Sequence, residues 1–120
     1  MPIKVKNFTE VNQGLLERDP YLKKMVLALV DHYKPVQIYL FGSKARGDAG
    51  PNSDYDILVV VKDAVSRTHK SLFQENRRKL GLTQAADVVV FTEKGFQERS
   101  TIVNTLPSTV IEEGALLYAA

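Results

Sequence analysis

Apolar residues recur along this chain in two rhythms. Leu22, Met25, Val26, Leu29, Val30 and Tyr33 are spaced by three and four, which puts them on one face of a helix. Asp19-Pro20 supplies the start, a capping carboxylate followed by a proline that suits the first turn, and Pro35 stops the helix. Three runs then lack that spacing: Val36 to Phe41, Asp54 to Val61 and Ala86 to Phe91. They are short and rich in β-branched and aromatic residues, which predicts strands. The second is nearly all apolar after its first three residues, so it belongs mid-sheet with both faces covered.

The remaining segments are weaker. Thr68 to Leu80 reads as a helix with a narrow stripe of Leu72, Phe73 and Leu80, closed by Gly81. Phe96 to Leu106 reads as another, with Phe96, Ile102, Val103 and Leu106 turned to the core and Pro107-Ser108 breaking it. Ser108 then caps a last helix to about Glu113, ended by Gly114, and Leu116-Leu117-Tyr118 packs as further core. Phe8 to Arg18 reads as a short helix weakened by Gly14. Met1 to Asn7 reads either as a frayed end or as a short edge strand.

The connections constrain how these pieces assemble. A helix-sized link between the second and third strands makes a parallel, right-handed crossover the default. Their starting ends then lie together, and with them Asp54, Asp56 and Asp87. Side chains alternate along a strand, so Asp54 and Asp56 share a face and Tyr55 points the other way. The first strand must run antiparallel to the second for Gly42-Ser43 to reach the same corner. The expected fold is α/β (α+β), one domain over residues 1–120, with a small mixed sheet flanked by helices.

Composition narrows the chemistry. The chain has no Cys, which removes disulfides, thiolate metal sites and thiol nucleophiles. Sixteen basic against 14 acidic residues give a net charge of +2, too balanced for direct nucleic-acid binding, which needs a concentrated basic footprint. No apolar run approaches the length of a membrane span, and the first residues lack the apolar core of a signal peptide. A cytoplasmic protein is expected. His32 and His69 have no ligand-like spacing and read as ordinary helix residues, and Arg77-Arg78-Lys79 reads as a solvated helix face.

The carboxylates are the costly feature. Like charges within about 4 Å repel by several kcal/mol per pair at an effective dielectric near 20, so either one stays protonated or a cation lies among them. Oxygen ligands without His or Cys select Mg²⁺ or Mn²⁺. Gly42 lets a phosphate approach the backbone, and the Ser43 hydroxyl adds a donor. Lys44 and Arg46 lie within one turn and suit phosphate charge, although Arg46 is equally suited to pinning the loop. A metal beside a phosphate cradle, without a covalent nucleophile, points to phosphoryl or nucleotidyl transfer.

Gly42-Ser43-Lys44-Ala45-Arg46-Gly47-Asp48 followed by Ser53-Asp54-Tyr55-Asp56-Ile57-Leu58-Val59-Val60 resembles the GSxARGxxxxxSDxDLxV signature of the minimal nucleotidyltransferases, in the polymerase-β-like nucleotidyltransferase superfamily. Asp87 falls where that family's third carboxylate is expected, and Glu113-Gly114-Ala115-Leu116-Leu117-Tyr118 is similar to its usual ending. Ile57 replaces the common Leu. The resemblance implies transfer of AMP from ATP to a hydroxyl, with release of pyrophosphate. It implies that Gly42 and Ser43 contact the triphosphate, that Asp54 and Asp56 bind two Mg²⁺ ions, and that Asp87 bridges metal and acceptor and helps deprotonate it. It implies as partner a small helical HEPN protein, the toxin of a toxin–antitoxin pair, modified on a Tyr. Two other readings stay open at this point. One is the same chemistry on a small molecule such as an aminoglycoside; the other is a binding module that neutralises its partner by contact alone. Oligomeric state is left open, as a homo- or hetero-oligomer.

Overall fold

The structure, a computed structural model, describes residues 11–50 and 53–120. The Met1 to Asn7 segment lies outside the described residues. In chain order the elements are α1 (Gln13–Arg18), α2 (Pro20–Tyr33), β1 (Gln37–Phe41), α3 (Ser43–Arg46), β2 (Tyr55–Val61), α4 (Arg67–Lys79), β3 (Ala86–Thr92), α5 (Glu93–Ser100), α6 (Leu106–Glu113) and β4 (Ala115–Ala119).

The four strands form one mixed sheet in the order β3-β2-β1-β4. β1 pairs antiparallel with β2 and with β4, and β2 pairs parallel with β3. The starts of β2, β3 and β4 and the end of β1 therefore share one edge of the sheet. Both faces are covered. Ile57 and Val59 join Leu22, Met25, Leu29 and Phe73 on one side. Leu58 and Val60 join Phe96, Val110 and Ile111 on the other. This explains why β2 is apolar at successive positions rather than alternate ones.

Local chemistry sets the helix starts. Asp19 caps α2 by accepting from Leu22 N at 3.0 Å, with Pro20 at the first turn. Ser66, Thr92 and Thr105 cap α4, α5 and α6 in the same way. α2 ends at Lys34, which has positive φ, one residue before the buried Pro35. α2 is further tied to α4 by a reciprocal pair. The His32 Nε2–H donates to His69 O at 2.6 Å, the His69 Nε2–H donates to His32 O at 3.0 Å, and the rings stack with centroids 4.0 Å apart. Two histidines 37 positions apart thus form one clasp.

The C-terminal third departs from the expected helix over 96–106. Thr92 caps α5 four residues before Phe96, and the helix ends at Ser100. A turn with Asn104 at φ 69 follows. Ile102 and Val103 are 52% and 77% exposed there rather than in the core. Pro107 sits in the first turn of α6 instead of breaking a helix, because that turn has no N–H bond for it to forfeit. Thr105, not Ser108, is the cap. Leu116, Leu117 and Tyr118 lie in a fourth strand, whose partner β1 is more than seventy residues earlier. Leu72 and Leu80 are also exposed, so Phe73 alone carries the buried stripe of α4. Among the described residues no helix is long and apolar enough to cross a membrane.

Candidate functional site

The shared sheet edge assembles the site. Asp56 pairs in register with Phe41 on one side and with Asp87 on the other. Registered neighbours point to the same face, so Asp56 and Asp87 stand side by side. Alternation places Asp54, just before β2 and exposed, on that face too. The Asp56 carboxyl is held above its ordinary 3.8, first by burial, then by the charges of Asp87 and Asp54, with Arg46 opposing. Asp56 therefore senses both of the other acids. Among the described residues, however, no three acidic or histidine side chains close to metal-ligand spacing, as mutual repulsion favours.

Gly42 follows the Phe41–Asp56 pair directly. Its φ is +76°, where side chains are strained, and a Cβ there would collide with the Asp56 carboxylate. Glycine is thus required twice, by conformation and by space. Gly42 O accepts from Ala45 N and Arg46 N at 3.1 Å, which starts the single turn of α3. Ser43 heads that turn, so its N–H is one of those an α-helix leaves without an internal acceptor.

The two cations of the turn are engaged differently. Lys44 Nζ lies 4.4 Å from the centre of the Tyr55 ring. Arg46 binds carboxylates: Nε is 3.2 Å from Asp48 Oδ2 and Nη1 is 3.6 Å from Glu113 Oε1. These ion pairs tie α3 to the end of α6.

Behind the acids, on the opposite sheet face, stands a set that the sequence did not suggest. The Tyr55 hydroxyl donates to Asp19 Oδ2 at 2.8 Å, and its ring stacks on Tyr21 with centroids 5.3 Å apart. Gln84 N donates to the Tyr21 hydroxyl at 2.9 Å, in the segment leading to Asp87. Tyr55 N also donates to Ala85 O at 3.1 Å. Burial, then the Asp19 carboxylate, pushes the Tyr55 phenol well above its ordinary value, so it remains a donor. Asp19-Pro20 was readable as a helix cap. That the second oxygen reaches a tyrosine 36 residues on was not.

The model of a family described as nucleotidyltransferase domain matches residues 22–116. Among curated proteins, none matches the chain. Among solved structures, a chain of a toxin–antitoxin complex with AMP-PNP is 26% identical at TM-score 0.60, covering 82% of this chain and 73% of its own. A chain of the MntA–HepT toxin–antitoxin complex is 23% identical at TM-score 0.55, over 84% of this chain and 72% of its own. A chain of a Shewanella oneidensis complex, a tri-AMPylated HEPN toxin with its MNT antitoxin, is 22% identical at TM-score 0.56, over 84% and 71%. The last two likenesses speak to the fold alone.

Proposed function

The chain belongs to the nucleotidyltransferase domain family, and on that premise we propose that it transfers AMP from ATP to a tyrosine of a small helical HEPN toxin and thereby acts as the antitoxin. The register that sets Asp56 beside Asp87, with Gly42 against Asp56, is the observation that carries this reading. The likeness to a toxin–antitoxin complex that holds AMP-PNP supports the nucleotide and a toxin partner, and the HEPN identity of that partner follows from the motif resemblance.

The residues present fit a divalent cation. Three hard carboxylates share a sheet edge, one of them held above its ordinary pKa first by burial and then by the other two, and the chain has no Cys to compete. Asp54 and Asp56 would hold Mg²⁺, in two ions, with Asp87 completing the set. Bound there, Mg²⁺ supplies neutralisation of triphosphate charge. The chain does the rest. The Gly42-Ser43 backbone and hydroxyl bind phosphate oxygens in a place where no Cβ intervenes. Arg46 faces two carboxylates, whereas Lys44 lies over the Tyr55 ring and keeps its charge for phosphate. Asp87 lies exposed on an edge strand, where it can take the proton from an incoming phenol. The phenol oxygen then bonds to the α-phosphorus as the bond to pyrophosphate breaks.

The test is label transfer from [α-³²P]ATP with Mg²⁺ to a co-expressed small helical HEPN protein. The wild type labels a partner tyrosine, and the Asp54→Asn/Asp56→Asn double variant loses at least about 100-fold in rate, beyond what outer-sphere changes to a metal site cost. If the double variant still neutralises the toxin fully, contact rather than transfer is the antitoxin activity.

A further inference from the structure

Tyr55 stands between two carboxylates yet takes no direct part in the chemistry described above. Its side chain leaves the sheet on the opposite face and is held from several directions there. Asp19, at the start of α2, accepts its hydroxyl at 2.8 Å. Asp19 is itself fixed by capping, through its other oxygen, on Leu22 N. Tyr21, the second residue of the same helix, stacks on the ring, and its hydroxyl accepts from Gln84 N. The Lys44 ammonium lies over the ring. The Tyr55 backbone N–H donates to Ala85 O.

Those contacts reach every segment that bears a candidate site residue. Lys44 belongs to the Gly42-Ser43 turn, Tyr55 joins Asp54 to Asp56, and Gln84-Ala85 leads into Asp87. All of them are referred to one rigid point, the capped start of α2, whose Leu22 and Met25 are fully buried. The acids repel one another, and Asp54 lies before the strand pairing that begins at Tyr55, so without such an anchor the segment ahead of Asp56 can turn to relieve the repulsion. Because side chains alternate along the strand, locking Tyr55 on one face fixes the direction of both neighbours on the other.

We propose that Tyr55 and Asp19 form a brace that presets the spacing of the Asp54, Asp56 and Asp87 carboxylates for divalent-cation binding, with Tyr55 as a positioning residue rather than a catalytic one. The proposal rests on the nucleotidyl-transfer reading of the acids and adds to it the residues that hold them. The brace is polar at one end and aromatic at the other, so its parts separate by substitution. Tyr55→Phe keeps the stack and the cation over the ring but removes the hydroxyl. Asp19→Ser keeps a capping oxygen for α2 but is too short to reach Tyr55. Asp19→Asn keeps the cap through Oδ1 and turns its Nδ2–H toward Tyr55, whose hydroxyl then accepts instead of donating, so the link survives in the reverse direction.

The experiment is Mn²⁺ binding to the full chain without nucleotide, read from the free-ion paramagnetic resonance signal, at a temperature where circular dichroism shows each variant folded. Tyr55→Phe and Asp19→Ser each raise the half-saturating Mn²⁺ concentration about 10-fold, the scale on which groups that orient metal ligands act. The double variant is no worse than either single one, because both remove the same bond, and Asp19→Asn stays within about twofold of wild type. Wild-type binding in folded Tyr55→Phe and Asp19→Ser overturns the brace while leaving the nucleotidyl-transfer reading intact. Losses that add fully in the double variant also overturn it, since the two residues then act separately. If the wild type itself takes up no Mn²⁺, the reading of the acids fails, and the brace fails with it.

Discussion

At the scale of single residues, Gly42 is the most constrained position of the site. Its positive φ excludes ordinary side chains, and the Asp56 carboxylate fills the space a Cβ would need. Gly42→Ala must therefore both strain the backbone and push Asp56 aside. The strain alone costs about 1–3 kcal/mol, and a shift of the order of 1 Å in a reacting group costs about 100-fold in rate. Urea unfolding and label transfer, measured on the same preparation, are expected to show both losses. Gly47 makes the contrast. It also has positive φ, but nothing lies within 4 Å of its missing Cβ, so only the conformational part applies there. The sequence marked Gly42 as a place where phosphate could approach. It could not show that the nearest neighbour is a carboxylate, because Phe41 and Asp56 become neighbours only when β1 and β2 pair.

At the scale of elements, the two faces of the sheet are sealed by different means. The α2–α4 side uses aliphatic side chains, Phe73 and the reciprocal His32–His69 clasp. The α5–α6 side depends on Tyr39 of β1, whose ring stacks on Phe96 at 5.3 Å between centroids. Tyr39 is 3% exposed, and burial pushes its phenol up from 10.0 to about 12, against a small lowering by the Gln37 side chain. The sign follows from proton linkage. Below pH 10 Tyr39 is neutral in folded and unfolded chains, and its stabilising contribution is complete. Above pH 10 the unfolded chain loses this proton first, so stability falls until about pH 12. A difference of that size is worth on the order of 2–3 kcal/mol. Tyr33 and Tyr55 shift in the same direction, so the measurement is a comparison. Chemical denaturation of wild type and Tyr39→Phe between pH 9 and 12 is expected to show a shallower decline in the variant. Equal slopes would mean that Tyr39 is not sealed in the folded state.

At the scale of the whole molecule, the fold gathers repelling charges at one edge of its sheet. The pairing of β2 with β3 that completes the core also forces Asp56 against Asp87. The raised pKa of Asp56 means that its ionised form weakens the folded state. Its contribution is most favourable below the unfolded value of 3.8 and is lost as pH rises through the higher folded value. Asp56→Asn is accordingly expected to raise the melting temperature at pH 7 in chelator by a few degrees, the scale on which about 1 kcal/mol shows in a domain of this size. The same substitution should abolish transfer. Scanning calorimetry of both proteins at pH 4 and pH 7 checks this, since the gain must shrink at the lower pH.

What the sequence determined by itself was whatever depends on near neighbours in the chain. The 3.6-residue rhythm of α2, the Asp19-Pro20 start, the apolar runs of the first three strands and the Asp54-x-Asp56 spacing are all local, and each reappears in the structure. Connection lengths extended this to strand directions, because a helix-length link leaves one favourable handedness. Tertiary structure alone decided the rest. Leu116 to Tyr118 became a strand because β1 offered a free edge, which no periodicity in five residues can signal. Pro107 fell in the first turn of a helix because Thr105, two residues before it, supplied the cap. Arg46 turned to Glu113, His32 to His69 and Tyr55 to Asp19 because hydrogen bonds and ion pairs depend on distance in space, and these partners lie 36 to 67 positions apart.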